Sequence, residues 1–332
     1  MAGLDPAIHG LRRDEEGVDA SRGFSETAGG SGNCVPARAR IKSGHDDSGE
    51  SSARPGRVVT AGIAEIGFVA KEGRTRLSHL YQTDPLRVLF PDAPPGELPV
   101  AVLVTTSGGL VGGDRLRVAV DMGPDTAAHV TAQSAEKIYR SNGPDTALDI
   151  ALTVGAGARL EYLPPETILF DAARLRRRAV VELAADATLL AGEILVFGRI
   201  ASGERMASGL VHDGWELRRE GRLIWSDSFH LADDSLGSLL SKAADPSCLD
   251  GATACATLLL ASSDAAKFLG VARNSIAASP VRGGATMVSG VLVARLLGGD
   301  AQALRGAYVR LAGQLRQAQA GLPAVLPGLW HV

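Results

Sequence analysis

The sequence predicts a mainly β protein of stacked antiparallel sheets, in a β-solenoid-like or sandwich-like arrangement, with about two helices in its C-terminal third. Three observations predict this class. Apolar residues recur with period two in short runs between Gly, Pro and Asp residues. The chain combines 40 glycines with only 4% aromatic residues, which favours close backbone packing and many turns. Helical periodicity is confined to the last third of the chain.

The predicted strands lie between Val58 and about Ser228. In Leu148–Val154, apolar residues at every second position alternate with Asp149, Ala151 and Thr153. One face of such a strand turns to the core and the other turns toward solvent, and antiparallel sheets are the natural interpretation of half-buried strands. Further runs of strand length are Val100–Val104, Leu116–Val120, Ala128–Gln133, Ala179–Leu183 and Leu189–Val196.

Two helices are predicted late in the chain. The polar run 233–235 offers N-cap chemistry for a short helix that ends near residue 245. A longer helix begins after Asp300 and stops at Gly321 and Pro323, and its other side carries Arg305, Arg316 and Gln317. We expect its apolar stripe to pack on the protein's own sheet rather than on a partner. The stripe consists of Leu304, Tyr308, Leu311 and Leu315.

Residues 1–57 are predicted to form a disordered N-terminal extension, and residues 58–332 a β-rich domain with C-terminal helices and a tail. The extension is poor in apolar periodicity and rich in Gly, Ser, Asp and Arg. Such a composition buries too little apolar surface to offset the entropy lost on folding. The functional residues are therefore sought after residue 57.

The charge and the cysteines constrain partners and compartment. The 34 Lys and Arg residues against 37 Asp and Glu residues leave a net charge of -3, which gives no overall attraction to nucleic acid or to an anionic membrane. The basic run 174–178 lacks interleaved aromatic residues and is interpreted as a solvated hairpin tip or a protein contact. Three cysteines without a CxxC motif, and no apolar run of membrane-spanning length, predict a cytoplasmic protein.

Seven carboxylates stand out because they interrupt glycine-rich or apolar segments. Asp114 ends the segment 107–114, whose four glycines suit a tight inter-strand corner and which has Asp where a phosphate loop needs Lys. Glu136 lies where strand alternation gives way to a polar patch, so it faces either solvent or an interior polar passage. The other five are Glu161, Glu166, Asp171, Glu193 and Glu204.

The sequence encodes neither a compact metal site nor a recognisable catalytic nucleophile. Its seven histidines have no HxH or HExxH spacing, and neither Cys248 nor Cys255 has a His beside it. The G-x-S-x-G motif of hydrolases does not occur. Paired carboxylates could still act as the acid and base of a hydrolase, so this alternative stays open, as does an interaction module without catalysis.

Four segments occur together in a recognisable order: Ser107-Gly-Gly-Leu-Val-Gly-Gly-Asp114, Thr131-Ala-Gln-Ser-Ala-Glu-Lys-Ile-Tyr-Arg140, Leu160-Glu-Tyr-Leu-Pro-Pro-Glu-Thr-Ile-Leu-Phe170, and Gly192-Glu-Ile-Leu-Val-Phe-Gly-Arg199 with Gly203-Glu204. In order and spacing they resemble the UreD family of urease accessory proteins, called UreH in some bacteria. The resemblance runs from about Val58 to the C-terminus, where Pro327–Trp330 is similar to the family's closing Pro-Arg-Leu/Ile-Trp. The chain departs from the family's pattern at Thr105-Thr106, Pro165 and Gly328.

The resemblance implies a non-enzymatic scaffold or chaperone that works with the accessory protein UreF and the GTPase UreG to insert nickel into apo-urease. Nickel would pass through an internal polar passage, and the late helices and the tail would face UreF. Oxygen ligands hold nickel more weakly than imidazole and thiolate do, so no tightly bound cofactor is expected. The candidates for transient nickel contact are Asp114, Glu136, Glu161, Glu166, Asp171, Glu193 and Glu204.

Overall fold

The computed structural model describes residues 60–233 and 239–331. The predicted extension 1–57 lies outside the described residues, and its disorder stays a prediction. So do Asp234, Ser235 and Leu236, which the predicted short helix was expected to use at its start. Among the described residues, no helix combines the length and the apolar character needed to cross a membrane.

Two sheets account for the strands of the described ranges. Seven strands form the first sheet, sheet A: β1 Ala61–Lys71, β2 Arg74–Gln82, β5 Arg115–Met122, β8 Thr146–Val154, β11 Arg174–Leu183, β13 Leu210–Arg219 and β14 Arg222–Ala232. Ten strands form the second, sheet B: β3 Leu86–Leu89, β4 Val100–Thr105, β6 Ala127–Ala132, β7 Glu136–Ile138, β9 Arg159–Tyr162, β10 Thr167–Leu169, β12 Thr188–Phe197, β15 Ala254–Ala261, β16 Arg282–Val288 and β17 Val291–Gly298. The predicted mainly β class of stacked sheets is confirmed.

The direction of the central strands differs from the prediction. In sheet A, β1, β5, β8, β11 and β13 pair in parallel, and in sheet B, β4, β6, β9 and β12 do the same. Antiparallel pairing is found at the flanks of both sheets, for example β1 with β2 and β13 with β14. Between β4 and β13 the chain crosses repeatedly from one sheet to the other, so it coils as a solenoid and returns in the same direction. A period of two fixes only which face is buried, and it is the same for both strand directions.

The main core lies between the two sheets, and a second core lies on the outer side of sheet B. Strand β12 contributes to both cores, because Leu189 and Leu195 belong to the inter-sheet core while Leu190 and Ile194 pack on the opposite side. A strand buried on both faces has little need of polar residues, which explains the continuous apolar run that surrounds Glu193.

In the part of the chain that the structure describes, three α-helices follow the central strands: α1 Leu239–Ala244, α2 Leu269–Ala277 and α3 Ala301–Ala320. The long predicted helix is confirmed, because the Asp300 side chain accepts a hydrogen bond from the Gln302 N–H at 2.9 Å and Gly321 ends the helix at φ 66°. Its four-residue apolar stripe is buried on sheet B, as expected. Arg316 differs from the expectation, since it is fully buried rather than on the solvent side. Helix α2 was not predicted, because it has no side-chain cap.

The segment 107–114 is the tight corner that its glycines predict, and it leads from β4 in sheet B to β5 in sheet A. Gly108, Gly109 and Gly113 have φ values of 73°, 148° and 95°, a region that residues with a side chain rarely adopt. A Cβ atom on Gly112 would collide with the side chain of Ser141. The glycines therefore serve the backbone path.

Candidate functional site

A cavity of about 60 Å³, here called the inter-sheet cavity, lies between sheets A and B. It has room for a few water molecules. Most of its wall is apolar and comes from both sheets, with residues such as Leu116 and Ile150 on one side and Leu103 on the other. Two of the seven predicted carboxylates, Glu136 and Glu193, also line it. The inter-sheet cavity is therefore the place where the fold brings predicted site residues together.

Glu136 stands between the inter-sheet cavity and a neighbouring surface cleft of about 90 Å³, because it lines both. It belongs to the three-residue strand β7. The Thr105 hydroxyl donates a hydrogen bond of 2.5 Å to its carboxylate. Burial raises the pKa of Glu136, and the hydrogen bond from Thr105 opposes this rise only in part. The side chain is thus a carboxyl group with a weakened tendency to ionise, placed where the cavity meets the cleft.

Three buried residues, Arg177, Asp213 and Glu193, form a group here called the arginine cluster. Arg177 and Glu193 also line the inter-sheet cavity. The Arg177 guanidinium from sheet A binds both carboxylate oxygens of Asp213, with Nε 2.8 Å from Oδ1. It also pairs with Glu193, which comes from sheet B. The indole N–H of Trp215 donates a hydrogen bond of 2.9 Å to the same Glu193 oxygen. The arginine cluster thus joins the two sheets through polar contacts inside the main core.

The two carboxyl groups of the arginine cluster have pKa values shifted in opposite directions. Burial and the negative charge of Asp213 raise the pKa of Glu193 well above its usual value. Burial also acts to raise the pKa of Asp213, but the charge and hydrogen bonds of Arg177 outweigh burial and lower it. Glu193 therefore ionises less readily than Asp213, which holds the larger share of the Arg177 cation. Burial also raises the pKa of the nearby Tyr162 hydroxyl to about 12, which keeps it protonated.

The positions of these charges follow from strand register. In β11, Arg177 lies on the same face as Leu175 and Ala179, which point into the inter-sheet core. In β13, Asp213 likewise lies on the same face as the buried residues Val211 and Trp215. The interpretation of the basic run 174–178 as a hairpin tip is therefore wrong, because the run lies within a central strand. The alternation itself was the signal that could have placed Arg177 inside the protein.

Glu161 lies on the face of sheet B that points toward α3, away from the inter-sheet cavity. It forms a group of charged and polar residues with His129, Arg159 and Arg316. His129 Nδ1 donates to its carboxylate at 3.0 Å, and Arg316 Nε lies 3.1 Å from the same oxygen. Arg159 donates to the other oxygen at 3.0 Å, and Arg316 also binds Glu97 at 2.7 Å. Burial alone would raise the pKa of Glu161, but the hydrogen bond from His129 and the charges of His129, Arg159 and Arg316 lower it to about 2.

Glu166 also faces the helix side, next to a pocket of about 320 Å³ near the beginning of α3. Arg305 donates to Glu166 Oε1 at 3.2 Å and to the backbone carbonyl of Trp330 at 3.1 Å. Within the described residues, the other oxygen, Oε2, is buried without a hydrogen-bond partner. Glu166 therefore helps to attach the C-terminal segment to the body of the protein.

The remaining three candidates hold backbone turns in place. Asp114 accepts hydrogen bonds from the backbone N–H groups of Val111 at 2.9 Å and Thr60 at 3.2 Å. Asp171 accepts from the N–H groups at 207 and 208, and its own N–H donates to Glu204 at 2.7 Å. None of these three carboxylates lines the inter-sheet cavity.

Within residues 60–233 and 239–331, no group of three or more His, Cys, Asp or Glu residues is placed to hold a metal ion. The fold and the site together define a class of protein: a two-sheet β-solenoid with α2 and α3 on one outer face and a polar cluster beside an internal cavity. The chain belongs to the UreD family, because the family described as UreD urease accessory protein matches residues 60–331.

Curated relatives agree with this assignment over most of their length. The chain is 47% identical to the urease accessory protein UreD of Magnetococcus marinus over 276 residues, which is 82% of this chain and 94% of the relative. It is 41% identical to the UreD protein of Mesorhizobium japonicum, covering 79% of this chain and 92% of the relative. With the UreD protein of Rhodopseudomonas palustris strain BisA53 it shares 42% identity, over 81% and 90% of the two chains.

Proposed function

We propose that this protein serves in urease maturation as a non-enzymatic accessory factor that helps to deliver nickel into the apo-urease metallocentre. Membership of the UreD family supports this role, since the relatives carry the name urease accessory protein. The observation that carries the proposal is the inter-sheet cavity, where Glu136 and Glu193 line one polar space. In this proposal the cavity is part of a passage for the ion.

Carboxylates suit a passing ion better than a retained one. Nickel binds most tightly to imidazole and thiolate ligands, and the cavity wall offers oxygen atoms instead. At the inner end Arg177 already pairs with Glu193, so a cation gains little by stopping there. Glu136 lies where the cavity meets the surface cleft and is the first carboxyl group that an ion entering from this cleft would meet. Contact would be brief, and nickel would be cargo rather than a resident cofactor.

The proposed partners are a UreF-type accessory protein, a UreG-type GTPase and apo-urease, all in the cytoplasm. The resemblance of the sequence motifs supports these partners. Helix α3 leaves Arg310, Gln314 and Gln317 exposed, and these residues with the C-terminal tail are the proposed surface for the UreF-type protein. A tagged copy of the chain, expressed in a urease-positive host, should co-purify with urease subunits and the UreF-type protein. Failure of both to co-purify would exclude the proposed role.

The cavity is tested by Glu136→Gln, which keeps the size of the side chain but removes its ability to ionise. We expect urease matured with this variant to contain less nickel, because a passing cation loses its carboxylate contact at the cleft. The matched control is Glu182→Gln, since Glu182 lies in β11 on the solvent side of sheet A and is 45% exposed. Nickel per urease active site is measured by mass spectrometry after purification of the urease.

Complex assembly must be measured on the same samples. The proposal predicts that both variants co-purify with urease to the same extent, and that only the Glu136 variant lowers the nickel content. Equal nickel contents in the two variants would contradict the passage while leaving the accessory role intact. Loss of co-purification in the Glu136 variant would show instead that this residue acts in assembly.

A further inference from the structure

Two histidines face each other on the solvent side of sheet A, away from the inter-sheet cavity. His212 in β13 and His230 in β14 are direct cross-strand partners. Their Nδ1 atoms lie 3.3 Å apart, and their rings meet at 65° with centroids 5.5 Å apart. His230 is exposed and His212 is half-buried, so solvent reaches the pair. The adjacent residue Asp213 points the other way, into the arginine cluster.

We propose that His212 and His230 together bind one divalent transition-metal ion of the kind that prefers imidazole, such as Ni²⁺, Cu²⁺ or Zn²⁺. Two imidazole nitrogens that each lie about 2.1 Å from one ion, at adjacent tetrahedral or octahedral positions, are about 3.0 to 3.4 Å apart. The observed Nδ1 separation of 3.3 Å falls within this range. Without an ion, one ring nitrogen can donate a hydrogen bond to the other at this distance, and which ring donates depends on the tautomer. The two ring nitrogens are therefore close enough to bind a single ion together when neither carries a proton.

The surroundings leave room for the other ligands of such an ion. His212 lines an open groove of about 800 Å³ on the same face, so water can complete the coordination. Arg176, the cross-strand neighbour of His212 in β11, is the nearest fixed cation in register. Its guanidinium is held by Asp145, with Nε 2.5 Å from Oδ2, and its positive charge is offset only in part because Asp145 also binds Arg174. Imidazole pairs on adjacent strands chelate without any change of backbone, because the sheet already holds both side chains.

This surface site does not depend on the inter-sheet cavity or on the proposed role in urease maturation. Asp213, the residue after His212 in β13, is 2% exposed and belongs to the arginine cluster. The histidine pair and the inter-sheet cavity therefore lie on opposite faces of sheet A. In the described parts of the chain, no third His, Cys, Asp or Glu completes the pair into a larger metal cluster. We therefore expect a two-imidazole site of moderate affinity that exchanges its ion with solution.

The test is a calorimetric titration of the full chain with Ni²⁺ alone, repeated for His212→Ala and His230→Ala. Each single variant should weaken this binding step, because a chelate needs both rings. Removing a group that only orients a ligand commonly costs about ten- to a hundred-fold in metal affinity, so loss of a ligand should cost at least about tenfold. The matched control is His79→Ala, since His79 is another strand histidine and its side chain is 57% exposed.

Electron paramagnetic resonance of the chain loaded with one equivalent of Cu²⁺ gives an independent readout. The native protein should show nitrogen hyperfine coupling from two imidazoles, and each single variant should lose one of them. Histidines outside the pair contribute the same background to all samples, and the His79 variant should match the native spectrum. Unchanged Ni²⁺ affinity in either His212→Ala or His230→Ala would overturn the proposal, as would an unchanged Cu²⁺ spectrum in both.

Discussion

The pKa of a buried glutamate is shifted in opposite directions at two places in this protein. Glu161 is ionised because His129, Arg159 and Arg316 surround it, and its pKa is lowered to about 2. Burial and the nearby Asp213 anion raise the pKa of Glu193 well above its usual value, because they disfavour a second negative charge. A buried carboxylate is a permanent anion only where donors and cations outnumber the competing acids. Glu161 thus remains an anion that binds Arg316 of α3, whereas Glu193 ionises less readily than an exposed glutamate.

The low pKa of Glu161 makes part of the protein's stability depend on pH. A carboxylate whose pKa falls on folding stabilises the folded state above its unfolded value of 4.5, and this contribution is lost as the pH falls toward about 2. At about 1.4 kcal/mol per pH unit, the full contribution is about 3 kcal/mol. Glu161→Gln should therefore lower the free energy of unfolding by about 3 kcal/mol at pH 7, as measured by urea denaturation.

The difference between native protein and variant should begin to shrink when the denaturation is repeated at pH 4 and should shrink further toward pH 2, because below about 4.5 the unfolded chain takes up a proton at Glu161 that the folded protein does not. Glu182→Gln is the control and should have a small effect at both pH values, since its partner Arg218 lies 3.7 Å away at the exposed surface. A stability difference for Glu161→Gln that is independent of pH would contradict the assigned protonation state.

Individual charges were only partly predictable from the sequence. Glu193 was singled out because it interrupts an apolar strand, but Arg177 was hidden between Arg176 and Arg178, whose side chains are exposed. The partners of Glu161 were out of reach, because Arg316 lies 155 positions away along the chain. Local sequence patterns indicate which residues are unusual, while contacts between distant segments decide what surrounds them.

The packing of α3 against β12 depends on a glycine. A Cβ atom on Gly192 would lie 2.5 Å from the Tyr308 hydroxyl oxygen and would also collide with the carbonyl oxygen of Thr257. Tyr308 in turn stacks on Trp330, with ring centroids 5.7 Å apart. One small residue in the strand thus permits close approach of the helix and of the C-terminal segment.

Gly192→Ala should destabilise the protein by about 2 to 3 kcal/mol, because the added methyl group forces the helix or the neighbouring strand to move. The control is Gly284→Ala in β16, where a Cβ atom meets no atom within 4 Å. Thermal unfolding of the two variants, followed by circular dichroism, measures the difference. Equal melting temperatures would mean that α3 does not press on Gly192.

At the level of elements, the strands and the long helix were predictable and the strand directions were not. Alternation located β4, β5, β6, β8, β11 and β12, and the Asp300 cap and apolar stripe located α3. Strand direction is decided by where the connections run. The connections here lead from one sheet to the other rather than back along the same sheet, and no short-range pattern records that choice.

At the scale of the whole molecule, the stability of the fold depends in part on a polar contact that joins the two sheets. Arg177 reaches from sheet A to Glu193 in sheet B while binding Asp213 in its own sheet. Arg177→Met should lower the free energy of unfolding by about 3 to 5 kcal/mol at pH 7, because it leaves a buried carboxylate without its cation. The control is Arg178→Met, whose side chain is 62% exposed and pairs with Glu216 at the surface, so its effect should be small.

Chemical denaturation of both variants at one protein concentration measures this difference. Adding Asp213→Asn to the Arg177 variant should recover part of the lost stability, because it removes the uncompensated charge. Equal stabilities of Arg177→Met and Arg178→Met would show that the arginine cluster contributes nothing to the joining of the sheets.

The antiparallel strands at the flanks have a consequence for how the protein behaves at high concentration. A stack of parallel coils has open ends, and an open end can accept another copy of the same coil and grow into a fibre. Here β2 and β14 cover the two ends of sheet A with strands of reversed direction, and both carry exposed charged residues such as Arg74 and Arg222. The charged side chains on these edge strands therefore disfavour the addition of another strand to sheet A.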